Sequence, residues 1–188
     1  MIETLESWDQ ALFKLVNGAH SAVGDFLMPW ISNKYLWIPL YLIILYGLIK
    51  HSPYPWWQVV LATVVLITVS DQIASGFLKP SVARLRPCYE PALEGMVHLL
   101  KGCGGRFGFA SSHASNSFAI AFFSLFLLKT KWPWIQWLIL WATIVAYSRI
   151  YLGVHYPGDV IAGAAIGWLS ALFSFQLLVF FNKRKRNE

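Results

Sequence analysis

The chain carries two long runs that only a bilayer or a protein interior accommodates. Residues 160–181 pass 22 positions without an Asp, Glu, Lys or Arg, and residues 56–70 are also free of formal charge. An apolar helix needs roughly 20 residues to cross the hydrocarbon core, and there every backbone N–H and C=O must be satisfied within its own segment. The runs therefore predict membrane-spanning helices. With 57% hydrophobic and 13% charged side chains in 188 residues, the composition lies outside the soluble globular range, and no nucleic-acid partner is expected.

Hydropathy places five spans, at about residues 35–49, 56–77, 114–128, 133–150 and 160–181. Residues 1–20 read differently. Leu5, Trp8, Leu12, Leu15 and Ala19 recur at helical spacing, with Glu3, Glu6, Gln10, Lys14 and Asn17 on the other side, as in a helix lying in the interface. With Glu3, Glu6 and Asp9 near its start, the segment lacks the pattern of a secretory signal peptide. The expected architecture is all-α, a single membrane-embedded domain over residues 1–188. It comprises an interfacial segment (1–34), about five spans, an external loop (78–113) and a basic tail (182–188).

Lys50, Lys129, Lys131 and the run Lys183-Arg184-Lys185-Arg186 fall on one face, which the positive-inside rule makes cytoplasmic. The N-terminal segment, the loop 78–113 and the turn at His155 then lie outside a bacterial inner membrane. Cys88 and Cys103, the two cysteines, share that external loop. An oxidising compartment lets them pair; two free thiols are the alternative.

The polar residues gather in three short segments. Lys79, Arg84, Arg86 and Arg149 sit near ends of apolar runs, where an uncompensated charge is expensive, so they require anionic partners. Arg forks combined with a mobile Lys point charge suit a tetrahedral phosphoryl group. For Arg84, Lys101 and Arg106 the expectation is snorkelling to lipid headgroups. Ser111 or Ser112 can cap the helix that follows, leaving backbone N–H donors facing an anion. Asp159, four residues after His155, can orient the imidazole or cap the last span.

His113 supplies a second imidazole. His and Asp also bind zinc or iron, but these lie among arginines that repel a cation, so no metal and no cofactor is expected. His20, His51 and His98 receive no chemistry. Asp71, about two helical turns before Lys79, is expected to pair with a site cation and hold it. Gly163 and Gly167 make a small-xxx-small packing face.

Together these segments resemble the signature of the type 2 phosphatidic acid phosphatase family, related in fold to bacterial non-specific acid phosphatases and vanadium haloperoxidases. Its pattern is K-x6-RP, PSGH and SR-x5-H-x3-D. Lys79 through Arg86-Pro87 matches the first element, and Ser148-Arg149 through His155 to Asp159 matches the third. The middle element reads Ala110-Ser111-Ser112-His113, with Ala for Pro and Ser for Gly.

The resemblance implies that His155 attacks phosphorus to form a phosphohistidine, that Asp159 orients it, and that His113 protonates the leaving oxygen and later activates water. Lys79, Arg86, Ser111 and Arg149 would hold the phosphoryl oxygens, with Ser112 standing where the family's glycine approaches the phosphate. The expected substrate is a phospholipid or polyprenyl phosphate: undecaprenyl diphosphate first, phosphatidylglycerophosphate second, a lipid A phosphate third. Two other classes remain, a small-anion or lipid transporter and an inactive lipid-binding protein. The first predicts inverted repeats or broken helices; the second rests on Ala110 and Ser112 alone.

Overall fold

The computed structural model describes residues 2–186, and side chains from Thr4 onward to Lys183; the remainder of the basic tail, Arg184 to Glu188, lies outside the described side chains. Seven helices carry the fold: α1 (Ile2–Gly18), α2 (Ala22–Ile31), α3 (Ile38–His51), α4 (Trp56–Val82), α5 (Ser112–Leu128), α6 (Trp137–Tyr151) and α7 (Pro157–Arg186). Among the described residues there is no strand; one antiparallel bridge joins Leu85 to Phe107. Helices occupy all five segments that hydropathy selects. By length and apolarity α4 and α7 each suffice to cross a membrane, and α2 with α3 does so as one pair bent by 65°.

Within the interfacial segment expected over residues 1–34, two helices form, and the second leads into the bend. Ser21 Oγ accepts from Gly24 N (3.2 Å) and opens α2, a second helix the hydropathy reading omits. Pro29 removes a backbone donor inside α2. Asn33 Oδ1 then accepts from Tyr35 N (3.1 Å) and starts a tight 3₁₀ turn, Lys34–Trp37, that redirects the chain into α3.

The second span also departs from its expected end at residue 77. A π-helical stretch, Gln72–Leu78, carries α4 on to Val82, where Ala83 in the left-handed region (φ 51°) stops it. Lys79 therefore projects from a helix, and the external loop begins at residue 83. Segments of this wider winding recur at functional sites in helices.

The core runs along α5. Ala114, Ala119 and Ala121 are fully buried, and α7 packs closely on them through glycine. A Cβ at Gly163 would stand 2.5 Å from the Ser111 carbonyl oxygen and 3.0 Å from Ala114 Cβ. Only a missing side chain permits that approach, so Gly163 and Gly167 bring the first turn of α7 against the first turn of α5. Further along, Leu48, Val59, Leu66, Phe123 and Leu128 fill the bundle.

Helix α1 turns its faces in a way the sequence reading inverts in part. Leu5, Trp8, Leu12 and Leu15 point away from the protein, while Phe13, Asn17 and the carboxylate of Asp9 point into it. Phe13 packs edge-on against Tyr156 (5.5 Å between rings). Asn17 donates to the carbonyls of His98 (3.0 Å) and Tyr151 (2.8 Å) and accepts from His98 N (2.8 Å). Against lipid an apolar stripe needs no cover, whereas Asp9 and Asn17 find their hydrogen-bond partners only on the bundle.

Candidate active site

The site forms where four helix ends and one loop converge: the last turns of α4 and α6, the first turns of α5 and α7, and the loop 83–111. Two limbs of the loop pair across the Leu85–Phe107 bridge, with Arg86 N donating to Arg106 O (3.1 Å) and Gly108 N to Arg84 O (2.9 Å). Cys88 and Cys103 are joined between the limbs, their Cα atoms 6.2 Å apart. The pairing lays Arg84, Arg86 and Gly108 over the start of α7.

There His155 and Asp159 are buried. His155 Nδ1 faces Asp159 Oδ2 at 3.3 Å, and the same oxygen accepts from Tyr156 N (3.0 Å). Asp159, the third residue of α7, sits beside the ring and bonds the backbone N–H of Tyr156 just before the helix, so it is not the N-cap residue that the alternative reading expected. With Nδ1 as donor, Nε2 is the basic nitrogen, and it lies 3.3 Å from Arg86 Nη1. Burial first, and then the charges of Arg86, Arg149 and Lys79, hold the His155 ring well below the ordinary imidazole range. A neutral ring beside fixed cations is a nucleophile ready for an anionic partner.

Arg86 also donates to Val154 O (3.2 Å). Arg149 Nη1 donates to Ser32 Oγ at the α2–α3 break. Buried Arg86 Nε, Arg149 Nε and Ser111 Oγ have no hydrogen-bond partner among the described residues. Ser111 is the N-cap residue of α5, yet its side chain makes no capping bond. Its hydroxyl, two guanidinium N–H groups and the first turn of α5 form a donor set of the kind that a phosphoryl group can satisfy.

Lys79 Nζ donates to Ser112 Oγ (2.7 Å), which pairs with Ser75 Oγ (2.5 Å). The Ser that replaces the family's glycine is therefore a ligand of the site lysine. His113 stands beside this group, within electrostatic range of Arg149, His155, Lys79 and Lys34.

Two expectations are corrected. Asp71 makes no salt bridge among the described residues; its Oδ1 accepts from Asn116 Nδ2 (3.2 Å), because the π stretch intervenes between it and Lys79. Arg84 does not snorkel to headgroups. Its Nη1 lies 3.1 Å from Asp159 Oδ1 and 2.8 Å from Asp9 Oδ2, and its guanidinium covers the Tyr156 ring at 4.1 Å. A buried carboxylate draws the nearest guanidinium inward.

The sequence reading also passes over Asp9, Ser32, Lys34 and Gly108. A Cβ at Gly108 would lie 2.9 Å from Asp159 Oδ2 and 3.2 Å from Arg86 Cγ. The glycines of the signature point only to positions within it, and Gly108 lies outside.

Outside the site, His20, Asp25 and His98 cluster. The two rings stack nearly parallel (3.8 Å, 9°), so a cation in the plane of one would lie out of the plane of the other. His98 Nε2 meets Asp25 Oδ1 at 3.0 Å, and Tyr151 donates to the same oxygen at 2.7 Å. The group reads as a latch between α2, the external loop and α6.

A buried imidazole–carboxylate pair among fixed cations, in a helical membrane protein, is an arrangement that suits phosphoryl transfer at a bilayer. More specifically, the chain belongs to the PAP2 superfamily, whose family model matches residues 58–183. It is an integral membrane lipid phosphatase, a phosphate ester hydrolase.

It is 42% identical to a lipid A 4'-phosphatase of Bacteroides thetaiotaomicron, over 94% of this chain and 81% of that one. It is 33% identical to an undecaprenyl-diphosphatase of Sulfolobus acidocaldarius, over 86% and 74%. The crystal structure of Aquifex aeolicus LpxE superposes with a TM-score of 0.70 at 27% identity, over 89% of this chain and 94% of that one.

Proposed function

We propose that this protein removes the 4'-phosphate of a lipid A-type glycolipid at the outer leaflet of a bacterial inner membrane, through a phosphohistidine. The observation that carries the chemistry is the set of buried, unpartnered donors, Arg86 Nε, Arg149 Nε and Ser111 Oγ, beside the neutral His155 ring. His155 Nε2 attacks phosphorus while the bond to the leaving oxygen breaks and His113 gives that oxygen a proton. Asp159 balances the positive ring left on His155. Water then attacks the phosphohistidine, His113 takes its proton, the P–N bond breaks and inorganic phosphate leaves. Lys79, Arg86, Ser111, Ser112 and Arg149 spread the charge of the equatorial oxygens, so no metal ion enters the scheme.

The relatives support this reading of the substrate, as does a cavity of about 480 Å³. Ser112 and His113 line it beside Lys34 and Asp71, and Ile44, Leu48, Leu66 and Phe123 line it further along the bundle. From Ser112 to Phe123 the α5 axis rises about 16 Å, room for a length of lipid chain. The higher identity to the lipid A phosphatase moves that substrate ahead of undecaprenyl diphosphate, the first expectation from sequence; the Sulfolobus relative keeps the latter as the second reading.

In the topology that goes with this reading, α3 to α7 span the membrane and α1 lies in the outer interface. The loop between α4 and α5 faces outward and the basic tail faces the cytoplasm, with the whole chain one domain. The break at Ser32 is the kind of feature a transporter would use, but here it presents a hydroxyl to Arg149.

The test is phosphate release in mixed micelles with excess EDTA, from bis-phosphorylated lipid A, undecaprenyl diphosphate and phosphatidylglycerophosphate, with a His155→Ala control. Mass spectrometry of the lipid A product reports which phosphate is lost. Preferred turnover at the 4' position, abolished in the control, supports the proposal. Preferred turnover of undecaprenyl diphosphate would establish the second reading, and dependence on a metal would overturn the mechanism.

A further inference from the structure

The K-x6-RP pattern does not specify position 84, and Asp9 lies far outside all three elements. Yet the structure makes the two a connected pair behind the catalytic dyad. Arg84 Nη1 is shared between Asp9 Oδ2 (2.8 Å) and Asp159 Oδ1 (3.1 Å). Asp9 Oδ1 accepts from Gly158 N (2.7 Å), the residue preceding Asp159. A Cβ on Gly158 would stand 2.7 Å from Asp9 Oδ2, so this contact too depends on a bare backbone. The Arg84 carbonyl is fixed in turn by Gly108 N, and its guanidinium by the Tyr156 ring.

We propose that Asp9, acting through Arg84, is a positioning residue for the Asp159–His155 pair, so that seating the N-terminal helix on the bundle sets the nucleophile. The proposal rests on the reading of His155 as that nucleophile.

The physical case has two parts. The first is geometric. Asp159 Oδ2 faces His155 Nδ1 and accepts from Tyr156 N, which leaves Oδ1 to fix the rotation of the carboxylate, and Arg84 is the side chain that bonds it. Asp9 holds both that guanidinium and the first turn of α7, so one carboxylate on α1 sets both ends of the contact.

The second part is electrostatic. The groups facing the dyad are Lys79 from α4, Arg84 and Arg86 from the loop, His113 from α5, Arg149 from α6 and Asp9 from α1. Tyr156 adjoins, itself within range of Glu90. Arg84 offsets the Asp159 charge and thereby discourages proton capture by His155, and Asp9 tempers Arg84.

The test uses the full chain in mixed micelles with Asp9→Asn, Arg84→Gln, the double variant, and the conservative Asp9→Glu and Arg84→Lys. Misplacement of a reacting group by about 1 Å costs on the order of 100-fold. Asp9→Asn is therefore expected to lose about 10-fold or more in kcat with KM nearly unchanged, and Asp9→Glu to recover most of it. The acid limb of kcat/KM moves to lower pH in Asp9→Asn, which unmasks a cation, and to higher pH in Arg84→Gln, which removes one. The double variant loses no more than the worse single.

Wild-type kcat and an unmoved limb in Asp9→Asn would overturn the proposal. So would a uniform loss without any limb shift and without rescue by Asp9→Glu, which would mark Asp9 as a fold contact only. If Asp9→Asn does not fold, Arg84→Lys decides: lower kcat with an unmoved limb supports the proposal, and wild-type kcat defeats it. Acid-quench trapping separates the underlying reading. A wild-type phosphohistidine absent from His155→Ala supports His155 as nucleophile, and its absence from wild type refutes that role whatever Asp9 does.

Discussion

Gly108→Ala is the sharpest single perturbation of the site. The added Cβ would meet Asp159 Oδ2 at 2.9 Å, about half an ångström inside ordinary contact, and Arg86 Cγ at 3.2 Å. Neither neighbour has an easy retreat. Asp159 is tied to Tyr156 N, Arg84 and His155, and Arg86 to Val154 O and, through its backbone, to Arg106 O.

The loop must lift or the carboxylate must rotate off the imidazole. Overpacking of this kind costs about 1–3 kcal/mol of stability. Displacing the orienting carboxylate by half an ångström is expected to lower kcat by about 10-fold or more. The assay is phosphate release at saturating lipid, paired with a thermal melt and a Gly102→Ala control, whose Cβ meets nothing within 4 Å. A Gly108→Ala enzyme within twofold of wild-type kcat, beside an unaffected control, would refute the account of how the loop closes on the dyad.

Three further outcomes are expected. Ser112→Gly removes the hydroxyl that holds Lys79 Nζ at 2.7 Å but keeps the backbone N–H through which position 112 meets the phosphate, so freeing the lysine should tighten inhibition by inorganic phosphate by about 2- to 10-fold, measured as a change in Ki. With p-nitrophenyl phosphate, whose leaving group needs no proton, kcat/KM should hold within about twofold from pH 7.5 to 5.5. The His155 ring titrates well below 6.5 and keeps its neutral form as pH falls through that value, whereas an unshifted imidazole would lose about tenfold. Gly163→Val should lower the melting temperature and the activity together, since a side chain there collides with the Ser111 carbonyl; an unchanged melt would show that α5 and α7 do not depend on that seam.

What the sequence made legible is what short spacing encodes. Lys79, Arg86, Ser111, His113, Arg149, His155 and Asp159 are named by motifs a few residues long, and the helical class by apolar runs. Asp9 was illegible because its partner, Arg84, is 75 residues away and occupies a place the motif leaves free. Gly108 precedes the middle element, and only the pairing of the two loop limbs brings it over Asp159. The break at Ser32 escaped because hydropathy averages over windows longer than the turn that redirects the chain. Asp71 was assigned to a cation by counting turns of a regular α-helix, and the winding after it is not regular.

That irregular winding has its own consequence for the evolution of the site. Each residue of an α-helix advances the azimuth by about 100° and the axis by about 1.5 Å. The i→i+5 winding of Gln72–Leu78 takes one extra residue into a turn, so tightening the stretch to regular α at unchanged length would swing Lys79 through roughly a quarter-turn, away from Ser112, whereas losing one residue as it tightens would nearly keep its phase. The phase of the site lysine is thus written upstream of the signature, in the match between the length of that stretch and its winding.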